Sequence, residues 1–264
     1  MPVGHPIQLH GSPVAGGKFP LICVPLVGRT RADILAELEA VLAEKPDVLE
    51  WRVDYFAGIA KTDQVIDVVC AIRAVAGSLP VMFTCRSHCE GGQNTTLWDG
   101  DVVSLCEAVC HSRQIDLIDF ELRCGPLPIS RVRMAAHANG IQLVLSCHDF
   151  ATTPDTPTLV RYFDQARVQG ADVAKLAVMS HSPADTLRLL DATLQASQTL
   201  DIPLISVAMG PHGAVTRLMG GEFGSALSFA VGVKASAPGQ MPVQDIRAVQ
   251  AILQRSQAGP TDPW

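Results

Sequence analysis

One lysine stands inside an otherwise apolar run, Asp172-Val-Ala-Lys-Leu-Ala-Val178. An amine placed there cannot be solvated like a surface one. Either Lys175 is paired with a carboxylate, or it loses its proton near neutral pH. A deprotonated amine is a nucleophile that condenses with a ketone or aldehyde to a Schiff base. The run alone leaves both alternatives open.

Other charged residues follow a period of two. In Val48-Leu-Glu-Trp-Arg-Val-Asp54, Glu50, Arg52 and Asp54 fall on one face, with Leu49, Trp51 and Val53 on the other. Successive strand side chains point to opposite sides, so a strand buried on both faces shows its helix-facing side as the apolar set. The charged set then points into the sheet's interior. The same parity places Arg86 with Thr84, Asp119 with Glu121, His148 with Ser146 and Lys175 with Val173. Such charges are tolerable in an interior only as a paired network. Asp119 sits deeper than the rest, which suits a carboxylate that orients or charge-balances Lys175 or His148. His148 ends its strand one unit before Lys175, and a neutral imidazole there is a suitable proton shuttle. A histidine is far more often structural or on the surface than catalytic, and the other seven read so; His88, in the loop Arg86-Ser-His-Cys-Glu90, is the one of them placed to touch a ligand, though its neighbours do not demand it.

The elements that must hold these groups alternate along the chain. Strands are expected over 21–27, 48–54, 81–86, 115–121, 142–148, 172–178, 203–209 and 225–231. Helices are expected over 31–44, 63–75, 101–112, 130–138, 158–169, 183–198, 213–219 and 243–255, with Thr30, Thr62, Ser130, Thr156 and Ser182 as N-caps. Eight β/α units without a linker predict a (β/α)8 barrel over 20–264, preceded by an irregular or hairpin lead-in over 1–19. The length of 264 residues fits that fold. A doubly wound sheet would carry a glycine-rich turn after its first strand, and Val27-Gly28-Arg29-Thr30 is not one. Barrel sites form where strands end, and there the charged residues gather.

Composition narrows the class. Hydrophobic residues make up 48% and charged residues 17%, enough for a sizeable core. A net charge of −6 with no basic stripe speaks against a nucleic-acid partner. With no signal-like N-terminus and no long apolar run, a soluble cytoplasmic protein is expected, with no membrane association. The eight cysteines include no Cys-x-x-Cys pair and sit mostly in apolar runs, so reduced thiols are expected. Cys85 with Cys89, or Cys106 with Cys110, have the spacing of metal ligands but lack converging histidines, and no metal is expected.

At these residues the chain resembles the type I 3-dehydroquinate dehydratases of the shikimate pathway. The matching segments are Val48–Asp54, Arg86–Gly92, Ile118–Glu121, Ser146–Phe150, Asp172–Met179, Gly213–Leu218, Phe223–Ser225 and Lys234–Gln240. The resemblance implies a (β/α)8 barrel that acts without cofactor or metal, as a homodimer, in aromatic amino acid biosynthesis. It implies that Lys175 forms a Schiff base with 3-dehydroquinate, that His148 is the general acid/base, and that Glu90 orients it. By the same resemblance Glu50, Arg52 and Arg86 contact substrate hydroxyls, and Arg217 clamps its carboxylate. Ser236 and Gln240 lie on a loop that closes over the site. Pro25, Cys147 and Pro211-His212 depart from the usual pattern without removing any of these groups. An aldolase using the same lysine would need a phosphate cradle after strands seven and eight. A silent metabolite-binding barrel should have lost Lys175, His148 or Arg217, and all three are present.

Overall fold

The computed structural model describes residues 4–257, so the ends of the expected lead-in and barrel, 1–3 and 258–264, lie outside the described residues. A short antiparallel hairpin, β1 (Gln8–Leu9) and β2 (Ser12–Pro13), comes first. Eight parallel strands follow: β3 (Leu21–Leu26), β4 (Val48–Arg52), β5 (Val81–Thr84), β6 (Leu117–Glu121), β7 (Gln142–Asp149), β8 (Val173–Met179), β9 (Leu204–Met209) and β10 (Leu227–Phe229). They run in sheet order β10-β3-β4-β5-β6-β7-β8-β9. A parallel bridge from Leu204 to Ser225, with the Ala226 N–H donating to the Leu204 carbonyl at 2.6 Å, brings the two edges together into a barrel.

Helices α1 (Arg31–Ala43), α2 (Thr62–Ala76), α3 (Asp99–Ser112), α4 (Pro126–Ala138), α5 (Thr156–Val168), α6 (Pro183–Thr199), α7 (Ala214–Met219) and α8 (Val243–Gln257) alternate with the strands. In α1, Ile34, Leu38 and Val41 recur at helical spacing and bury one face, and Thr30 and Asp33 form a reciprocal cap. Ser182 caps α6 as expected. The other three expected caps are corrected. Thr62 and Thr156 are the first helical residues, the α5 cap being Asp155, which accepts the Thr158 N–H. Ser130 lies inside α4, which starts four residues earlier on Pro126 after Gly125, proline's fixed φ suiting the first turn.

The sheet divides the apolar core in two. Outside it, Ile22, Leu49, Trp51, Phe83, Leu143 and Leu176 pack against the helices. Inside, Leu21, Cys23, Val48, Met82, Leu117, Val144, Val173 and Ile205 fill the lower barrel, joined from the hairpin region by Ile7 and Val14. Aspartates ahead of three strands fix the register at this end. Asp47, Asp116 and Asp172 accept the backbone N–H of Ile22, Val81 and Leu143 at 2.9, 2.8 and 2.7 Å. Above the apolar layer the interior turns polar.

Candidate active site

The polar layer begins one alternation above that apolar plug. Val48, Val144 and Val173 lie in it, and two residues further along their strands stand Glu50, Ser146 and Lys175. Register sets Ser146 beside Lys175 and His148 beside Ala177, so the lysine is one step deeper than the histidine. Lys175 Nζ donates to Asp119 Oδ2 at 2.7 Å and to Glu50 Oε1 at 3.4 Å, and lies 4.5 Å over the Phe229 ring. Of the two states open in the sequence, the geometry is that of a paired ammonium.

A second cation shares the same carboxylate. Arg86 donates to Asp119 Oδ1 at 2.8 Å, to Ser146 Oγ at 2.9 Å and to Glu121 Oε1 at 3.1 Å. Burial works to raise the Asp119 carboxyl, but Arg86 and Lys175 outweigh it and hold the group well below the usual carboxylate range. Burial likewise works against the Arg86 charge, and Asp119, Glu121 and Glu90 more than offset it. Asp119 does not line the cavity, in keeping with its deeper position.

Glu90 and His148 form a pair at the mouth. Glu90 Oε2 accepts the His148 backbone N–H at 3.0 Å and faces Nδ1 at 2.8 Å. Burial, against the pull of Arg86, pushes the Glu90 carboxyl up to about 8, and burial with Arg86 and Lys175 pushes the His148 imidazole well below its ordinary value. With the carboxylate ionised, the proton sits on Nδ1 and Nε2 carries the free lone pair. Protonating the pair turns Nε2 into a donor, so one titration converts base to acid. Nε2 hydrogen bonds to none of the described residues.

Arg52 and Arg217 are held in opposite ways. Arg52 is neutralised by a two-point pair with Asp54, Nε and Nη2 each at 2.8 Å. Asp54 reaches it from a 3-10 turn, Val53–Tyr55, because β4 ends at Arg52 rather than running to residue 54. Arg217, on α7, is 2% exposed and makes no ion pair among the described residues. Among the described residues its guanidinium donates only to the carbonyls of Phe229 at 3.1 Å and Pro238 at 3.0 Å, and Nε has no partner. Burial lowers it to about 10. A buried cation with two carbonyls and no acidic partner among the described residues has the geometry to accept an anion.

Glu50, Arg52, Arg86, Glu90, His148, Lys175, Arg217, Ser236 and Gln240 all line one cavity, open to solvent, at the C-terminal end of the strands. Ser236 and Gln240 come from the loop between Val231 and Met241, whose ends are joined by a 2.8 Å backbone bond. Gln240 Oε1 accepts the Ser236 N–H at 2.8 Å and its Nε2 donates to Ser236 Oγ at 3.0 Å, so this loop is ordered by the two residues themselves.

The sequence reading passed over part of the site. Phe150, Val207, Met209 and Phe229 form the apolar walls. Gly91 (φ 81°) is required beneath Phe150, since a Cβ there would stand 2.1 Å from the ring. Thr84 donates to Glu50 at 2.9 Å and Ser146 to Asp119 at 2.6 Å. Parity had placed both on the inward face, a signal strong enough to include them. Pro25 and Cys147 do not line the cavity, and burial raises the Cys147 thiol to about 12. The eight cysteines are free, and no cluster of three or more His, Cys, Asp or Glu among the described residues could hold a metal. No helix among them is long and apolar enough to cross a membrane.

The type I 3-dehydroquinase family model matches residues 22–257. A 3-dehydroquinate dehydratase from Albidiferax ferrireducens is 52% identical over 98% of this chain and 98% of its own length. The crystal structure of the Geobacillus kaustophilus enzyme superposes with a TM-score of 0.93 at 45% identity, covering 97% of this chain and 99% of that one. A type I enzyme from Clostridium difficile, described with covalently modified comenic acid, gives 0.90 at 32% identity, covering 96% and 99%. A 3-hexulose-6-phosphate synthase, 16% identical with a TM-score of 0.60, shares the fold alone. By sequence over almost its whole length and by structure, this chain belongs to the type I 3-dehydroquinase family.

Proposed function

We propose that this chain is a hydro-lyase that converts 3-dehydroquinate to 3-dehydroshikimate through a Schiff base on Lys175. One observation carries the reading. A paired ammonium, an imidazole with a free Nε2 and a buried guanidinium without an acidic partner face a single cavity.

Each step uses a group in place. Lys175 Nζ attacks the C3 ketone, two of its ammonium protons pass to the ketone oxygen, and that oxygen leaves as water, giving a protonated imine. The iminium has the same charge as the ammonium it replaces, so Asp119 and Glu50 stabilise it without rearrangement. The cation withdraws electrons and acidifies the C2 proton, which His148 Nε2 removes. The electrons return as C1 expels its hydroxyl, and His148 hands its proton to that oxygen, so water leaves. Hydrolysis of the imine releases the enone and restores the amine. A positioned acid/base contributes roughly 100- to 10,000-fold.

Arg217 supplies a planar fork for the substrate carboxylate. Glu50, Arg52 and Arg86 face the ring hydroxyls, and Ser236 and Gln240 close over the bound molecule, excluding water. The family resemblance further supports a cytoplasmic homodimer, which a sedimentation mass near twice 28.1 kDa would test. Activity is tested by adding 3-dehydroquinate and following the ultraviolet absorbance of the conjugated enone. Absorbance must rise with wild-type protein and stay flat with Lys175→Ala.

A further inference from the structure

Glu121 lies outside the catalytic cavity, yet its carboxylate holds Arg86 and the turn that follows it, with Arg123 at its other oxygen. Oε1 accepts from Arg86 Nη1 at 3.1 Å and from the Ser87 backbone N–H at 2.8 Å. Oε2 accepts from Arg123 Nε at 3.0 Å. Ser87 opens the turn that carries Glu90, its carbonyl accepting the N–H of Glu90 at 3.1 Å and of Gly92 at 2.8 Å. A shift at Ser87 therefore reaches Glu90 within one turn. Arg86 Nη1 stands 3.6 Å from Glu90 Oε2, the oxygen that His148 uses. Deprived of Glu121, that nitrogen gains by closing on Glu90 and competing with the imidazole. Glu121 is 2% exposed, so its charge acts through little intervening water.

We propose that Glu121 is a positioning residue for the dehydration, holding Arg86 and the Ser87–Gly92 turn in one geometry so that Glu90 meets His148. This rests on the roles proposed above for Arg86, Glu90 and His148. Glu121 also adds to Glu90's hold on its proton, after burial and against Arg86. Its removal must therefore move the pH dependence as well as the rate.

The test compares wild type, Glu121→Gln and Glu121→Asp by steady-state kinetics from pH 5 to 9, with borohydride trapping and thermal unfolding. Glu121→Gln should lose about 100-fold in kcat, shift the acid limb of kcat/KM to lower pH, and still trap substrate on Lys175. Glu121→Asp keeps the charge but not the reach, so its kcat should fall while the limb stays at the wild-type position. Wild-type kcat in either variant would overturn the proposal, as would an activity loss in Glu121→Gln with an unmoved limb. If Glu121→Gln does not fold, the aspartate variant alone decides, by lowered or unchanged kcat. Wild-type protein that neither turns over nor traps substrate would instead refute the reading on which this one rests.

Discussion

Replacing Arg217 by methionine removes the cation at the cavity wall that has no acidic partner among the described residues. Burial lowers the guanidinium well below its ordinary value, to about 10. At 1.36 kcal/mol per unit this is a desolvation cost of about 3 kcal/mol. A bound carboxylate offsets that cost by supplying the missing negative charge. Losing an interaction of this size weakens binding roughly 100- to 300-fold, since 1.4 kcal/mol is a factor of ten. Steady-state kinetics should show the loss mainly as a raised KM, because the carboxylate is held in ground state and transition state alike. Arg217→Lys should recover part of it, as a point charge without the fork. At saturating substrate, borohydride should still label Lys175 in both variants. A KM within twofold of wild type for Arg217→Met would refute the assignment.

Three further outcomes follow from the same geometry. His148→Ala should form the imine and stall at proton transfer, so trapping persists while turnover falls at least 100-fold; loss of trapping would contradict it. Glu90 is raised from 4.5 to about 8, so the fold keeps a proton that the unfolded chain has lost between those values. That stabilisation is full below 4.5 and vanishes as pH rises through 8, while the lowered His148 removes stability as pH falls below 6.5. Glu90→Gln should therefore lose less stability than wild type between pH 6 and 9 in urea unfolding, and curves that stay parallel would be evidence against it. Asp119→Asn leaves Lys175 with Glu50 at 3.4 Å and Arg86 with Glu121 at 3.1 Å, while the buried carboxylate that both cations share loses its charge. It should cost about 3–5 kcal/mol of stability, and a loss below 1 kcal/mol would show that the pairing is not structural.

The parts of the site that could be read from the chain were those carrying charge against a background of apolar alternation. Glu50, Arg52, Lys175 and His148 stood out because a barrel interior otherwise holds apolar side chains at those positions. Asp54 shares their parity yet reaches Arg52 from a turn, because β4 stops two residues early. Arg86 and Glu90 lie beyond the end of β5, so parity with Thr84 marked Arg86 from an expected strand two residues too long, and the role of Glu90 beside His148 came only from the motif resemblance. The walls were hidden for the opposite reason. Phe150, Val207, Met209 and Phe229 look like any core residues, and only the closed barrel shows that they face the cavity. Glu121 was seen on the inward face, but its grip on the Ser87 amide joins residues 34 positions apart and leaves no local trace. Helix starts were misplaced where a residue ahead of the expected cap opened the helix. Asp155 took the role expected of Thr156, and Pro126 began α4 a turn ahead of Ser130.

Borohydride reduction in the presence of 3-dehydroquinate, followed by peptide mass mapping, bears most directly on the chemistry. The adduct should fall on the peptide containing Lys175, in one copy per chain, and should be absent from Lys175→Ala. An adduct on another residue, or full turnover with none trapped, would contradict covalent catalysis at the floor of this barrel.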